Sequence, residues 1–128
     1  MKRFLLIDDE DIFNYLNSEI IQLVNKEYEH QMFTSAQDAL AYLRSIANQS
    51  SRMPDIILLD IRMPGMSGFD FLDALTLGSP IVLTNTSVYI LSSSLDHRDM
   101  EKANTYPMVR GFRSKPLSEE MVKEMVLQ

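Results

Sequence analysis

With 128 residues, 45% of them hydrophobic, the chain holds enough apolar material for one continuous core and too much for a disordered segment. A formal net charge of −6 repels phosphate backbones, and no basic run offsets it, so direct nucleic-acid binding is disfavoured. The absence of cysteine removes disulfides, thiolate metal sites and cysteine nucleophiles, and is compatible with a reducing cytosol.

Met1-Lys2-Arg3 ahead of Phe4 to Ile7 has the charge order of a signal peptide. The apolar run stops at Asp8-Asp9-Glu10-Asp11, too early for a signal core. No stretch approaches the ~18 apolar residues of a membrane span. A soluble, cytoplasmic protein without membrane contact is expected.

Phe4 to Ile7 reads as a strand buried on both faces. Ile12, Leu16, Ile20 and Leu23 then recur at helical spacing, widened by Phe13 and Val24, and predict a first helix with this stripe turned inward. Tyr28 to Phe33 predicts a second, weaker strand. Ser35 has the character of an N-cap, with Asp38 three residues on, and Ala36, Ala39, Leu40, Leu43 and Ile46 share one helical face. Asn48 to Pro54 is a polar loop.

Ile56 to Leu59 is the clearest buried strand, bracketed by Asp55 and Asp60. Proline and glycine force an irregular loop over Met63-Pro64-Gly65-Met66-Ser67-Gly68, after which Phe69, Leu72 and Leu75 begin a third helix. Gly78 to Ser87 reads as a long loop. Val88 to Leu91 is a fourth strand, Asp96 to Asn104 a short helix, and Phe112 lies in a fifth strand that ends before Lys115-Pro116. Ser118 caps a last helix with Met121, Val122, Met125 and Val126 inward.

Five alternating β–α units without an internal repeat or linker imply a parallel sheet covered on both faces. Ligands of such sheets bind beyond the carboxyl ends of the strands. Asp8 and Asp9 end strand 1, Asp60 ends strand 3, Ser92 ends strand 4 and Lys115 follows strand 5, all on that edge. A carboxylate pair ~4 Å apart repels by about 4 kcal/mol at an effective dielectric near 20. A hard cation such as Mg²⁺ removes that cost. Carboxylates, an ammonium and a hydroxyl around one point suit phosphoryl transfer, whose transition state spreads charge over three oxygens. A single strand-end aspartate is usually a turn or cap residue. The joint occurrence at one edge is what points to chemistry.

The chain resembles the receiver domain of two-component response regulators over nearly its full length. The matching segments are Leu5-Leu6-Ile7-Asp8-Asp9-Glu10, Asp55 to Gly68 with its Met63-Pro64-Gly65-Met66-Ser67-Gly68 tail, Tyr89-Ile90-Leu91-Ser92-Ser93-Ser94, and Phe112-Arg113-Ser114-Lys115-Pro116. The resemblance implies one receiver domain over residues 1–128, without an effector domain. Its fold would be flavodoxin-like (βα)5, a doubly wound parallel five-stranded sheet in the order 2-1-3-4-5.

By the same resemblance Asp60 is the phospho-acceptor, and Asp8 and Asp9 hold Mg²⁺ together with Asp60 and the backbone carbonyl of Arg62. Ser92 matches the switch hydroxyl, with Ser93 as the alternative. Lys115 matches the phosphoryl-contacting lysine and Phe112 the switch aromatic. Arg62 and Ser94 fall where the family tunes phosphoryl lifetime. The implied partners are a histidine kinase or phosphotransfer protein as donor and an unnamed output protein. The chain would not be an enzyme in its own right, although it assists its own phosphorylation and dephosphorylation. Thr76 to Ser87, and Asn104 to Val109 with Pro107, depart from the usual pattern.

The residues disfavour three other functions. A metal-dependent phosphatase of the haloacid-dehalogenase type needs a second acidic residue two positions after its nucleophile, where this chain has Arg62. A flavodoxin-like cofactor binder needs a hydroxyl- and glycine-rich loop after strand 1, where Asp8 to Asp11 would repel a phosphate. A pseudo-receiver that only binds partners is disfavoured because every acceptor residue is present. His30 and His97 lack neighbours at metal-ligand spacing, and the nine methionines fall mostly at core positions or in the Met63/Met66 loop.

Overall fold

In the computed structural model, which describes residues 2–77, 81 and 83–127, the apolar strand runs at Phe4 to Ile7 and Ile56 to Leu59 lie side by side. β1 (Arg3–Ile7) pairs in parallel with β2 (Glu29–Phe33) on one side and with β3 (Ile56–Leu59) on the other. β4 (Ser87–Ser92) and β5 (Val109–Ser114) follow, so the sheet runs β2-β1-β3-β4-β5, the expected order. The helices are α1 (Asp11–Val24), α2 (Ala36–Ile46), α3 (Gly68–Thr76), α4 (His97–Ala103) and α5 (Glu119–Leu127). A short 3₁₀ turn, Ser50–Arg52, interrupts the polar loop before β3. No helix among the described residues is long and apolar enough to cross a membrane.

Strand alternation sorts the core into two layers. Leu5, Ile7, Ile57, Leu59, Val88 and Ile90 pack with α2, α3 and Ala103 of α4. Phe4, Leu6, Ile56, Leu58, Tyr89 and Leu91 pack with Ile21 of α1 and with Val122 and Met125 of α5. Burial on both faces is why the central strands carry unbroken apolar runs.

Local signals set the helix starts. Ser35 Oγ accepts the Asp38 N–H at 3.2 Å, as its spacing predicts, and Ser118 Oγ accepts the Met121 N–H at the same distance. At α3, Ser67 and Asp70 form a reciprocal capping box that the sequence reading passed over. Before β5, the Tyr106 hydroxyl donates to Asp73 at 2.7 Å and its ring stacks on Phe69, tying the Pro107 loop to α3. Of the expected Gly78 to Ser87 loop, Gly78, Ser79, Pro80 and Val82 lie outside the described residues, and Ser87 already belongs to β4.

The inward stripe expected on α1 is corrected. Ile12, Leu16 and Leu23 are 58%, 47% and 68% exposed, while Asn14, Asn17, Ser18 and Ile21 are buried. Ile20 and Val24, from the expected set, do pack against the second core layer. The reason lies at the top of the sheet. Asn14 Nδ2 donates to the Asp8 carbonyl at 3.1 Å and to the Phe33 carbonyl at 3.0 Å, satisfying acceptors at the ends of β1 and β2. An apolar residue there would remove this donor from the Asp8 carbonyl and leave the Phe33 carbonyl with the Asp8 N–H alone.

Asn14→Ala is therefore expected to cost about 1–3 kcal/mol in urea unfolding. Leu16→Ser should stay within roughly 0.5 kcal/mol of the parent. The reverse ranking would show that the helix buries the other face.

Candidate functional site

Parallel pairing places the site. Ile7 lies opposite Leu59, so the next residues of the two strands, Asp8 and Asp60, emerge side by side. The Asp60 N–H donates to the Ile7 carbonyl at 2.9 Å and the Asp8 N–H to the Phe33 carbonyl at 3.1 Å, fixing both backbones. One oxygen each of Asp8, Asp9 and Asp60 falls within 4.8 Å of the others. Asp8 and Asp60 are buried, and Asp9 is the more open of the three.

Lys115 arrives from the far strand. Ser92 and Ser114 are paired across β4 and β5, and the Lys115 N–H donates to the Ser92 carbonyl at 2.8 Å. Lys115 Nζ lies 2.6 Å from Asp8 Oδ2 and 3.7 Å from Asp60 Oδ1, and its side chain is only 8% exposed. The face of Phe13 covers it, with the ring centroid 4.2 Å from Nζ. The second Asp8 oxygen accepts the Glu10 N–H at 3.0 Å.

Burial pushes the Asp60 carboxyl up to about 6. Lys115 pulls against that rise, while Asp8 and Asp9 reinforce it. The donor set is all oxygen and holds more carboxylates than the single ammonium can neutralise, which fits a hard divalent cation such as Mg²⁺. The loop after Asp60 is folded back tightly. A Cβ on Gly68 would sit 2.5 Å from the Asp60 carbonyl oxygen and 2.9 Å from Ile61 Cα, so only glycine fits there.

The remaining candidates stand around this cluster. Ser92 is buried at the end of β4; its hydroxyl donates to the Ser94 carbonyl at 2.8 Å and accepts the Ser94 N–H at 3.2 Å. Ser93 is exposed. Phe112 lies opposite Ile90, half-buried against the α2–α3–α4 side of the core. The Arg62 side chain points to α4, where it pairs with Asp99. The sequence reading missed Phe13 as the cover of Lys115 and Asn14 as the tie between loops; neither carries a spacing signal of its own.

The sequence profile of the response regulator receiver domain matches residues 4–127. A two-component response regulator from Cytophaga hutchinsonii superposes with a TM-score of 0.89 at 36% identity, covering 98% of this chain and 93% of that one. A response regulator receiver protein from Dyadobacter fermentans gives 0.82 at 27% identity, covering 97% and 94%. Among curated relatives, a protein-glutamate methylesterase/protein-glutamine glutaminase from Methylobacillus flagellatus is 31% identical over 99 residues. That match covers 77% of this chain, which spans only about a quarter of the relative's length (24%).

The raised Asp60 carboxyl has a stability consequence with a definite sign. Between pH 3.8 and about 6 the folded state holds this proton more tightly than the unfolded state. Its contribution to stability is present below that window and lost as pH rises through it. Metal-free Asp60→Asn should match the parent near pH 3.8 and exceed it by roughly 2–3 kcal/mol well above pH 6. A stability difference independent of pH would contradict this origin.

Proposed function

The chain belongs to the response regulator receiver family, and on that premise we propose that in the cytoplasm it accepts a phosphoryl group on Asp60 from a histidine kinase or phosphotransfer protein and passes the change to a protein partner. The observation that carries this reading is Asp60, buried beside two further carboxylates with the Lys115 ammonium 3.7 Å away. A receiver of this kind is a phospho-acceptor, and turnover belongs to its donor and to hydrolysis.

In the transfer, an Asp60 oxygen forms a bond to phosphorus as the phosphorus–nitrogen bond of the donor phosphohistidine breaks. The electron pair leaves with the imidazole nitrogen. Asp8, Asp9, Asp60 and the Arg62 backbone carbonyl would hold Mg²⁺, which when bound offsets charge on the phosphoryl oxygens. Lys115 and the Ser92 hydroxyl contact the other oxygens. Ile12, Tyr15 and Leu16 are exposed on the first turns of α1, the helix that follows Asp8 and Asp9 in the chain, and offer contact area to a protein donor.

Signalling follows from unequal contacts in the two states. Before phosphorylation the Ser92 hydroxyl is engaged by Ser94. A phosphoryl oxygen competes for it, drawing Ser92 toward Asp60 and releasing Ser94. Phe112 on the neighbouring strand fills the space vacated, and the surface of α4, β5 and α5 changes shape. That surface is the one offered to an output partner.

Incubation with acetyl phosphate and Mg²⁺ should add one acid-stable, base-labile phosphoryl group by intact mass, and Asp60→Asn should take up none. Calorimetric titration of Asp9→Ala should show Mg²⁺ binding lost. An unmodified parent mass sinks the acceptor assignment, and unchanged Mg²⁺ binding in Asp9→Ala sinks the metal assignment.

A further inference from the structure

Arg62 follows the acceptor by two residues, yet its side chain is turned away to α4. Its Nη2 lies 2.7 Å from Asp99 Oδ2. The Asp99 side chain is 17% exposed and that of Arg62 71%, so an exposed cation meets a largely buried anion. Asp99 sits in the first turn of α4, where the helix dipole favours its charge.

We propose that Asp99 is a positioning residue that holds the Arg62 guanidinium away from Asp60, and that a phosphoryl group on Asp60 competes with Asp99 for it. The proposal rests on Asp60 being the acceptor. A phosphoryl group adds charge and three strong acceptor oxygens next to an arginine whose planar fork suits them. An ion pair with one exposed partner is weak enough to be shared or exchanged.

The consequence for phosphoryl lifetime has a direction. In hydrolysis a water oxygen bonds to phosphorus, the bond from phosphorus to the Asp60 oxygen breaks, and the carboxylate leaves with its electron pair, releasing inorganic phosphate. A guanidinium held on the phosphoryl oxygens stands in the path of the approaching water and obstructs it. By keeping Arg62 occupied, Asp99 shortens the life of the aspartyl phosphate. A partner that draws α4 and Asp99 aside would free Arg62 and prolong the signal it reads.

The test follows decay of the aspartyl phosphate by intact mass, after removal of acetyl phosphate, in the parent, Asp99→Asn, Asp99→Glu, Arg62→Gln and the Arg62→Gln/Asp99→Asn double variant. Asp99→Asn should lengthen the half-life by about two- to fivefold. Asp99→Glu, which keeps the carboxylate, should stay near the parent. In the Arg62→Gln background the Asp99 substitution should do nothing. Without any phosphodonor, Asp99→Asn should also shift the Arg62 guanidinium NMR signal. An unchanged or shorter half-life in Asp99→Asn, a lengthening that persists without Arg62, or an unmoved guanidinium signal overturns the proposal while leaving the acceptor reading intact. Failure of the parent to take up a phosphoryl group overturns both.

Discussion

Carboxylate oxygens of Asp8, Asp9 and Asp60 crowded within 4.8 Å would drive the ends of β1 and β3 apart if nothing opposed them. Each close pair repels by about 4 kcal/mol at an effective dielectric near 20. The Lys115 ammonium opposes that repulsion from 2.6 Å at Asp8 and 3.7 Å at Asp60, screened from water by Phe13. The same residue is tied through its main-chain N–H to the Ser92 carbonyl. Charge at the acidic cluster is thus linked, through one lysine, to the ends of β4 and β5.

The cost of this arrangement falls on Asp60. Burial holds its carboxyl near 6, so the group works against folding once ionised, as buried charges do when compensation is partial. The loop beyond it is equally constrained, because Gly68 brings backbone against backbone at Asp60 and Ile61. The ionised Asp60 and the close approach at Gly68 are local costs, borne by a sheet with an apolar layer on each face.

Much of this was legible in the sequence, for identifiable reasons. The edge rule for parallel sheets needs only the strand ends, and those were marked by unbroken apolar runs followed by Asp8-Asp9 and Asp60. α2 was readable because all five of its expected inward residues are apolar and buried. α1 was misread because the stripe argument sends apolar residues inward, and Asn14 is inside for its donors. The Ser67/Asp70 capping box had a visible spacing and was simply overlooked. The Arg62–Asp99 pair joins residues 37 apart on different elements, and Phe13 meets Lys115 from the opposite end of the chain. Contacts of that sort depend on where the helices settle, which no local pattern encodes.

Two routes lead from the acidic cluster toward the start of α4. One runs through Ser92 and Ser94 into the β4–α4 loop; the other runs from Arg62 to Asp99. α4 is a short helix, capped by Asp96 and with Asp99 in its first turn. The most direct test is backbone NMR of the Mg²⁺-loaded protein with and without beryllofluoride, a mimic of the phosphoryl group. Shifts at Ser92, Phe112 and throughout α4 are predicted. Changes confined to the residues around Asp8, Asp9 and Asp60 would contradict the account.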